Sequence, residues 1–93
     1  MVSPQDHKKL QHIAGFLEIP SDILYDLPKI TLIGNLQLYI ENHRGIIAYA
    51  PEAIRIAAST GEVEILGREL IIRSISREEI YLDGQINGIR YHQ

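Results

Sequence analysis

The sequence predicts a small, mainly β domain, an antiparallel sandwich or barrel, preceded by a short helical segment. Isoleucine occurs 17 times in 93 residues, against one phenylalanine and no tryptophan, and β-branched side chains favour strands. After Pro28 the hydrophobic pattern changes from the helical period of about 3.6 to the strand period of 2. Turn residues then recur about every eight to ten positions, which is typical of a sandwich or a barrel.

Length and composition limit the size and the chemistry of the protein. The 93 residues, 45% hydrophobic and 23% charged, fit one folded domain rather than a disordered chain. No apolar run approaches the roughly 20 residues that span a membrane, and no signal peptide is expected from the first residues. The chain has no cysteine, which excludes a disulfide framework and a cysteine-based zinc site. Its net charge of −3 argues against nucleic acid as a partner.

Residues 1–28 are predicted to form the short N-terminal helical segment. Ser3 can cap a helix that has Pro4 at its first position. Pro20 ends this helix, and a second short helix or turn follows that Pro28 closes. One face of the first helix carries an apolar set with spacing i, i+3, i+4 and i+7: Leu10, Ile13, Ala14 and Leu17.

Residues 29–93 are predicted to be an all-β domain of seven to eight short strands. The candidate strands are 29–33, 36–41, 45–50, 53–58, 62–66, 69–74, 78–82 and a last one ending near Tyr91. Tight turns are expected at four dipeptides: Gly34-Asn35, Thr60-Gly61, Gly67-Arg68 and Asp83-Gly84. A four-residue turn is expected at 42–45, with Gly45 at positive φ.

The second and third of these tight turns predict a three-stranded meander. Two-residue loops there pair apolar residues with apolar residues on one face, Ile56 with Ile65 and Val63 with Ile72. The other face is then exposed. On it Glu62 lies opposite Arg73, an ion pair worth a few tenths of a kcal/mol.

The first predicted hairpin is apolar on both faces. A two-residue loop at Gly34-Asn35 puts Ile33 opposite Leu36. It also leaves an apolar set on the other face: Ile30, Leu32 and Tyr39. Because a strand that is apolar on both faces is covered on both, we expect the N-terminal helix or another subunit to cover these three side chains.

The last predicted hairpin contains a break in the alternation. Ile86 and Ile89 are three positions apart, so one regular strand cannot direct both to the same face. Asn87-Gly88 lies between them. We therefore predict a β-bulge or a second turn at this dipeptide.

The densest polar cluster is Glu41-Asn42-His43-Arg44. Such a set could hold a proton or an anion, but a polar turn uses the same residue types. No nucleophile motif, phosphate loop or metal-ligand spacing accompanies the cluster. We predict no catalytic residues, no metal and no cofactor, and we expect the loop to contribute to binding.

Four stretches of the chain form a specific pattern: LEIP at 17–20, DLPKITLIG at 26–34, YIENHRG at 39–45 and EEIYLDGQI at 78–86. This pattern resembles the sporulation proteins of the YabP/YqfC family, most closely the YqfC branch, over a range from about Ile13 to Tyr91. The resemblance implies an immunoglobulin-like all-β fold and a role in endospore formation. It also implies a membrane-embedded sporulation protein as the partner, and it carries over no catalytic residue.

The predicted function is a non-enzymatic assembly or adaptor module in spore envelope formation. It would act in the mother-cell cytoplasm, at the forespore membrane, by docking on a membrane-embedded partner. The residues predicted to make contacts are Ile30, Leu32, Tyr39, Glu41, Asn42, His43 and Arg44. Two alternatives stay open: a structural homo-oligomer without a membrane partner, and a small-ligand-binding domain that uses residues 41–44, which are expected to form an exposed hairpin tip.

Overall fold

The computed structural model describes residues 26–93, which form one antiparallel sheet with almost no helix. Within this range there are six strands: β1 Lys29–Ile33, β2 Gln37–Glu41, β3 Ile46–Ala50, β4 Ala53–Ala58, β5 Gly61–Ile75 and β6 Glu79–His92. Their order across the sheet is β1-β2-β6-β5-β4-β3. The predicted antiparallel, mainly β class is confirmed. The helices predicted within 1–28 lie almost wholly outside the described residues.

The prediction of seven to eight strands was wrong because two expected turns are bends inside long strands. The two-residue turns that hairpins prefer need positive φ at the first central residue or at both, and neither Gly67 nor Arg68 has positive φ. Instead β5 continues through Gly67-Arg68, and β6 continues through Asp83-Gly84. The expected pairing of Val63 with Ile72 is therefore absent. The immunoglobulin-like arrangement of two separate sheets is not confirmed.

Close backbone contact explains the glycines at this bend. A Cβ atom on Gly67 would collide with the Gln85 carbonyl oxygen. Gly84 has a φ of +140°, and a Cβ there would lie 2.8 Å from the Glu69 carbonyl oxygen. Glu69 itself has a φ of +52°. Glycine lets the two strands stay in contact while both change direction.

The register of the first hairpin also differs from the prediction. The loop has three residues, Gly34-Asn35-Leu36, so that Ile33 lies opposite Gln37 rather than Leu36. One additional loop residue shifts the pairing by one position, so every side chain of β2 lies on the opposite face relative to the side chains of β1. Ile30 therefore lies opposite Ile40, on the core side of the sheet.

The β4–β5 hairpin keeps the predicted faces but with a shifted register. Ser59-Thr60 forms the loop, and Ile56 lies opposite Val63. A shift of two residues preserves the alternation, so the predicted core side chains stay inside. Glu62 pairs with Arg55 on β4 and not with Arg73, because the strand carrying Arg73 is the continuation of β5 itself.

The predicted bulge near Asn87-Gly88 is confirmed. Leu66 lies opposite Gly88, but the next residue, Gly67, lies opposite Ile86, so Asn87 is the extra residue on β6. Because of this extra residue, Ile86 and Ile89 direct their side chains to the same face although they are three positions apart. Ile86 is buried, and Ile89 packs against the same core.

The sheet is curved, so that the inner-face side chains of both its ends belong to one hydrophobic core. In a flat sheet β2 and β3 would be four strand spacings apart, about 19 Å, whereas the five steps from Glu41 to Ile46 span at most about 17–18 Å. The inner face carries all the buried apolar side chains of the described residues: Leu38, Ile40, Ile54, Ile56, Val63, Ile65, Leu70, Ile80, Leu82 and Ile86. Full burial of each contributes about 1.5–3 kcal/mol.

The bend in β5 and β6 divides the sheet into two halves. The first half contains β1, β2, residues 79–83 of β6 and 71–75 of β5. The second half contains β3, β4, residues 61–66 of β5 and 88–92 of β6. Each half has an outer face, and these two surfaces and the 42–45 linker between β2 and β3 are the candidate functional regions.

Candidate functional site

The 42–45 linker joins the two halves. It is not the tip of a hairpin, because β2 pairs with β1 and β6 while β3 pairs with β4. The backbone N–H of Asn42 donates to the Glu78 carbonyl oxygen (2.8 Å), and the N–H of Arg44 donates to the Ala57 carbonyl oxygen (2.8 Å). Gly45 has the predicted positive φ, +119°. The linker is therefore held by backbone hydrogen bonds to both halves.

His43 is the buried polar residue of this linker, with 6% of its surface exposed. Its Nδ1 atom accepts a hydrogen bond from the Gly45 N–H (2.9 Å). Because that nitrogen is an acceptor, we assign the ring proton to Nε2, which donates to the Ser76 carbonyl oxygen at 2.9 Å. Both ring nitrogens form hydrogen bonds within the protein, and His43 thereby connects the 42–45 linker to the β5–β6 turn.

The neighbours of His43 hold the segment that precedes β1. Asn42 has a φ of 65°, and its side-chain amide donates to the Leu27 carbonyl oxygen (3.0 Å). The Arg44 guanidinium forms an exposed ion pair with Asp26 at 2.5 Å. Three of the four residues of the predicted polar cluster, Asn42, His43 and Arg44, thus have intramolecular partners where the 42–45 linker connects the two halves. We call this connection the joint.

Ile30, Leu32 and Tyr39 do not share one face. Ile30 packs against the core, and Leu32 lies on the same side at the edge of the sheet, 47% exposed. Tyr39 points to the outer face of the first half, opposite Thr31 and Tyr81. The three-residue loop between β1 and β2 causes this separation.

Tyr39 is part of an outer surface that we call the tyrosine face. The Tyr39 and Tyr81 rings stack with centroids 4.3 Å apart and planes 19° apart. Three rows of side chains cross this half: Lys29, Glu41 and Glu79; Thr31, Tyr39, Tyr81 and Ser74; Ile33, Gln37, Asp83 and Ile71. A cleft of about 220 Å³ lies over the rows with Thr31 and Ile33.

Large apolar side chains are exposed on the tyrosine face. Ile33 is 63% exposed, Tyr81 is 47% exposed and Ile71 is 44% exposed. Sequence reasoning missed Tyr81, Glu79 and Ile71 because β2 pairs with β6 and not with a sequence neighbour. Tyr81 alternates with Ile80 and Leu82, which indicates an outward side chain, but this alternation does not identify Tyr39 as its neighbour.

The electrostatics of the tyrosine face are acidic. Lys29 pairs with Glu41 at 3.8 Å, and Arg73 pairs with Asp83 at 2.6 Å. Glu79 has no salt bridge with any residue in 26–93. Partial desolvation, followed by contact with Glu79 and Tyr81, raises the pKa of the Tyr39 hydroxyl. Among Glu41, Glu79 and Asp83, Glu79 is thus the carboxylate without a salt bridge within the described residues.

The outer face of the second half has a different character, because its charges are matched. The Arg55 guanidinium binds both carboxylate oxygens of Glu62 at 2.7–2.8 Å, and this contact raises the pKa of Arg55. Glu64 contacts Arg90 (4.0 Å) and His92 (3.1 Å). A shallow depression of about 560 Å³ is lined by Arg55, Glu62, Glu64 and His92, among others.

The described residues hold neither a metal-ligand cluster nor a membrane-spanning helix. Residues 26–93 contain no group of three histidine, cysteine or acidic side chains positioned to hold a metal ion. In the same range no helix has the length and the apolar character needed to cross a membrane.

Comparison with known proteins identifies relatives over most of the chain. The model of the YabP family matches residues 26–93. A protein of Bacillus subtilis (strain 168), described as "Uncharacterized protein YqfC", is 44% identical over 75 residues, which cover 81% of each chain. No solved structure matches this chain.

Proposed function

Because the chain belongs to the YabP family, we propose that it is a non-enzymatic assembly or adaptor module in endospore formation. It acts in the mother cell, at the forespore membrane, by docking on a membrane-embedded sporulation protein. The sporulation role rests on the resemblance of the sequence to sporulation proteins, and the docking role rests on the surface of the described residues.

The observation that carries the docking role is the tyrosine face. A monomeric protein rarely exposes a contiguous apolar surface of large side chains without a binding role. Here Ile33, Tyr81 and Ile71 are exposed on one outer face, and Ile33 and Tyr81 line a cleft. Tyrosine is also enriched at protein interfaces, because a rigid aromatic ring gains contact area at little entropic cost.

The polar cluster has a supporting role in this proposal. Asn42 and His43 fix the linker through hydrogen bonds to Leu27 and Ser76. Of the residues predicted to make contacts, Tyr39 and Glu41 lie on the tyrosine face, and Ile30 and Leu32 belong to the adjacent edge strand. Binding therefore centres on Tyr39, and the 42–44 residues keep the two halves in place.

Spore counts test the sporulation role. Loss of the coding sequence in a spore-forming host should lower the yield of heat-resistant spores, and the wild-type chain should restore that yield. The Tyr81→Ala variant should fail to restore it, whereas Tyr91→Ala should restore it. Tyr91 is the matched control because it lies on the same strand, outside the tyrosine face, and is 66% exposed. A normal spore yield without the protein would contradict the proposal.

A second candidate function is self-association through β3. This strand is an edge of the sheet, and its sequence, IIAYA, contains no charged residue that would discourage strand pairing. Ile47 and Tyr49 are each about half exposed. Sedimentation of the wild-type chain and of an Ile47→Lys variant tests this candidate, which predicts a dimer for the former and a monomer for the latter. A wild-type monomer at all concentrations would exclude it.

A further inference from the structure

We propose that the tyrosine face binds a lysine- or arginine-bearing segment of a partner protein, with a basic side chain over the Tyr39–Tyr81 stack and paired with Glu79. This inference rests on the proposed function, because it specifies the chemistry of the partner that the docking surface accepts. Three features of the described residues carry it: the charge balance, the geometry of the rings and the contrast with the other outer face.

The charge balance of the tyrosine face leaves one carboxylate for a partner. The face carries the acidic groups Glu41, Glu79 and Asp83. Lys29 and Arg73 neutralise the first and the last of them. Glu79 forms no salt bridge with any residue in 26–93 and lies on the strand of Tyr81. A basic side chain would complement this charge and would be steered toward it before contact.

The geometry of the two rings suits a cation. The two rings stack with their centroids 4.3 Å apart, so each ring has one free face. In the order of the strands, the free face of Tyr39 lies toward Thr31 and the free face of Tyr81 lies toward Ser74. Thr31 and Ser74 are small. The cleft of about 220 Å³ opens on the Thr31 side. A lysine or arginine head group that lies over a tyrosine face is attracted by the ring quadrupole, while its aliphatic stem can pack on Ile33.

The stacked side chains of the tyrosine face are also preorganised for binding. Each ring of the stack restricts the rotamers of the other, so little side-chain entropy remains to be lost when a ligand binds. A tyrosine hydroxyl, with a reference pKa of about 10, is uncharged near neutral pH, and partial desolvation and contact with Glu79 raise the pKa of Tyr39 further. The negative charge of the site therefore comes from carboxylates and not from the ring. The recognised group is therefore a cation beside an apolar surface.

The outer face of the second half lacks these features. Arg55 already satisfies Glu62 with three hydrogen bonds, and Glu64 has both Arg90 and His92 as neighbours. A basic segment would have to replace existing partners there. Charge complementarity thus favours binding of a basic segment to the outer face of the first half. The outer face of the second half is a control surface on the same protein.

The proposed chemistry agrees with a membrane-embedded partner. The cytoplasmic loops of such proteins carry an excess of lysine and arginine. An acidic surface repels an anionic lipid headgroup, so the occupant we infer is the basic protein segment beside the membrane and not the lipid. Binding should weaken as the ionic strength rises, because salt screens exposed charges.

Titration of the isotope-labelled chain with synthetic peptides tests the inference. The probe is a short soluble peptide of lysines and leucines, and the control peptide has glutamate in place of every lysine. The lysine peptide should shift the amide resonances of Tyr39, Tyr81 and their neighbours, and the glutamate peptide should shift none. Shifts confined to the second half would overturn the inference, as would equal binding of the two peptides.

Matched variants identify the groups that bind the peptide. Glu79→Gln should weaken the binding of the lysine peptide on the order of tenfold, because it removes one charge-assisted contact. Glu64→Gln, on the other outer face, should leave binding unchanged. Tyr81→Phe should bind as the wild type does, since the ring face is retained, and Tyr81→Ala should lose binding. Unchanged binding by Glu79→Gln and Tyr81→Ala would overturn the inference.

The same variants separate this inference from the proposed function. If Tyr81→Ala abolishes the restoration of spore yield while Glu79→Gln restores it fully, docking stands and the basic chemistry of the partner is wrong. If both variants fail although both chains are folded, the two proposals are supported together. A normal spore yield in cells without the protein would reject the proposed function whatever the peptide binds.

Discussion

The His43 Nε2 atom lies 2.9 Å from the Ser76 carbonyl oxygen, and this contact connects the β2–β3 linker to the turn between the two longest strands. Because Nδ1 of the same ring accepts the Gly45 N–H, one imidazole satisfies two backbone groups in different parts of the chain. The arrangement makes His43 a structural residue of the joint, next to a docking surface that begins at Tyr39.

Replacement of His43 should destabilise the protein. His43→Ala empties a buried position and leaves the Gly45 N–H and the Ser76 carbonyl, which are in part-buried contacts, without their partner. An unsatisfied group that is shielded from water costs about 1–3 kcal/mol. We expect a loss of about 3 kcal/mol in the free energy of unfolding, measured in urea. Arg44→Ala, which removes an exposed ion pair with Asp26, should cost less than about 1 kcal/mol. Equal costs for the two variants would contradict the assigned role of His43.

The bend between the two halves should depend on Gly67. A Cβ atom there would collide with the Gln85 carbonyl oxygen, so Gly67→Ala should cost about 1–3 kcal/mol in stability through overpacking. Gly88 has no atom within 4 Å of a built Cβ, so we expect Gly88→Ala to change stability by less than about 1 kcal/mol. Thermal unfolding of both variants checks this pair. A Gly67→Ala variant as stable as the wild type would show that the strands do not approach here.

The register of the first hairpin can be tested with two isoleucines of adjacent strands. Ile40 is fully buried, whereas Ile33 is 63% exposed on the outer face. Ile40→Ala should cost about 2–5 kcal/mol, and Ile33→Ala should change stability by less than about 0.5 kcal/mol. Denaturant unfolding gives both values. A large cost at Ile33 would instead support the two-residue loop predicted from the sequence.

Alkaline titration tests the environment of Tyr39. Partial desolvation and the adjacent Glu79 raise the pKa of its hydroxyl, so the folded protein holds this proton where the unfolded chain, with a tyrosine pKa of about 10, has released it. The contribution of Tyr39 to stability is therefore present below about pH 10 and is lost as the pH rises above that value. Tyr39→Phe should remove the phenolate absorbance that develops last. If Tyr39→Phe instead removed phenolate absorbance that develops at lower pH, this result would contradict the raised pKa of Tyr39.

Local patterns predicted the parts of the fold that depend on neighbouring residues. The alternation through Ile54, Ile56, Val63 and Ile65 placed these side chains inside, and the spacing of Ile86 and Ile89 located the bulge. Loop length was harder, since Leu36 is apolar and reads as the first residue of a strand rather than the third residue of a loop.

Long-range pairing was beyond sequence reasoning. Asp83-Gly84 has the composition of a hairpin turn, but β5 accompanies β6 past it, so the dipeptide becomes part of a bend. Tyr39 and Tyr81 meet only because β2 lies beside β6, and nothing near either residue in the sequence indicates this neighbour. The candidate site was consequently predicted at one of its two rings, and the polar cluster beside it was interpreted as an exposed tip.

Site-specific photocrosslinking in sporulating cells tests docking through the tyrosine face most directly. A photoreactive phenylalanine analogue would replace Tyr81 in one chain and Tyr91 in another, two exposed positions of the same strand. We predict that the probe at position 81 crosslinks to an integral membrane protein and that the probe at position 91 does not. Crosslinking of that protein from position 91 alone, or from neither position, would contradict docking through the tyrosine face.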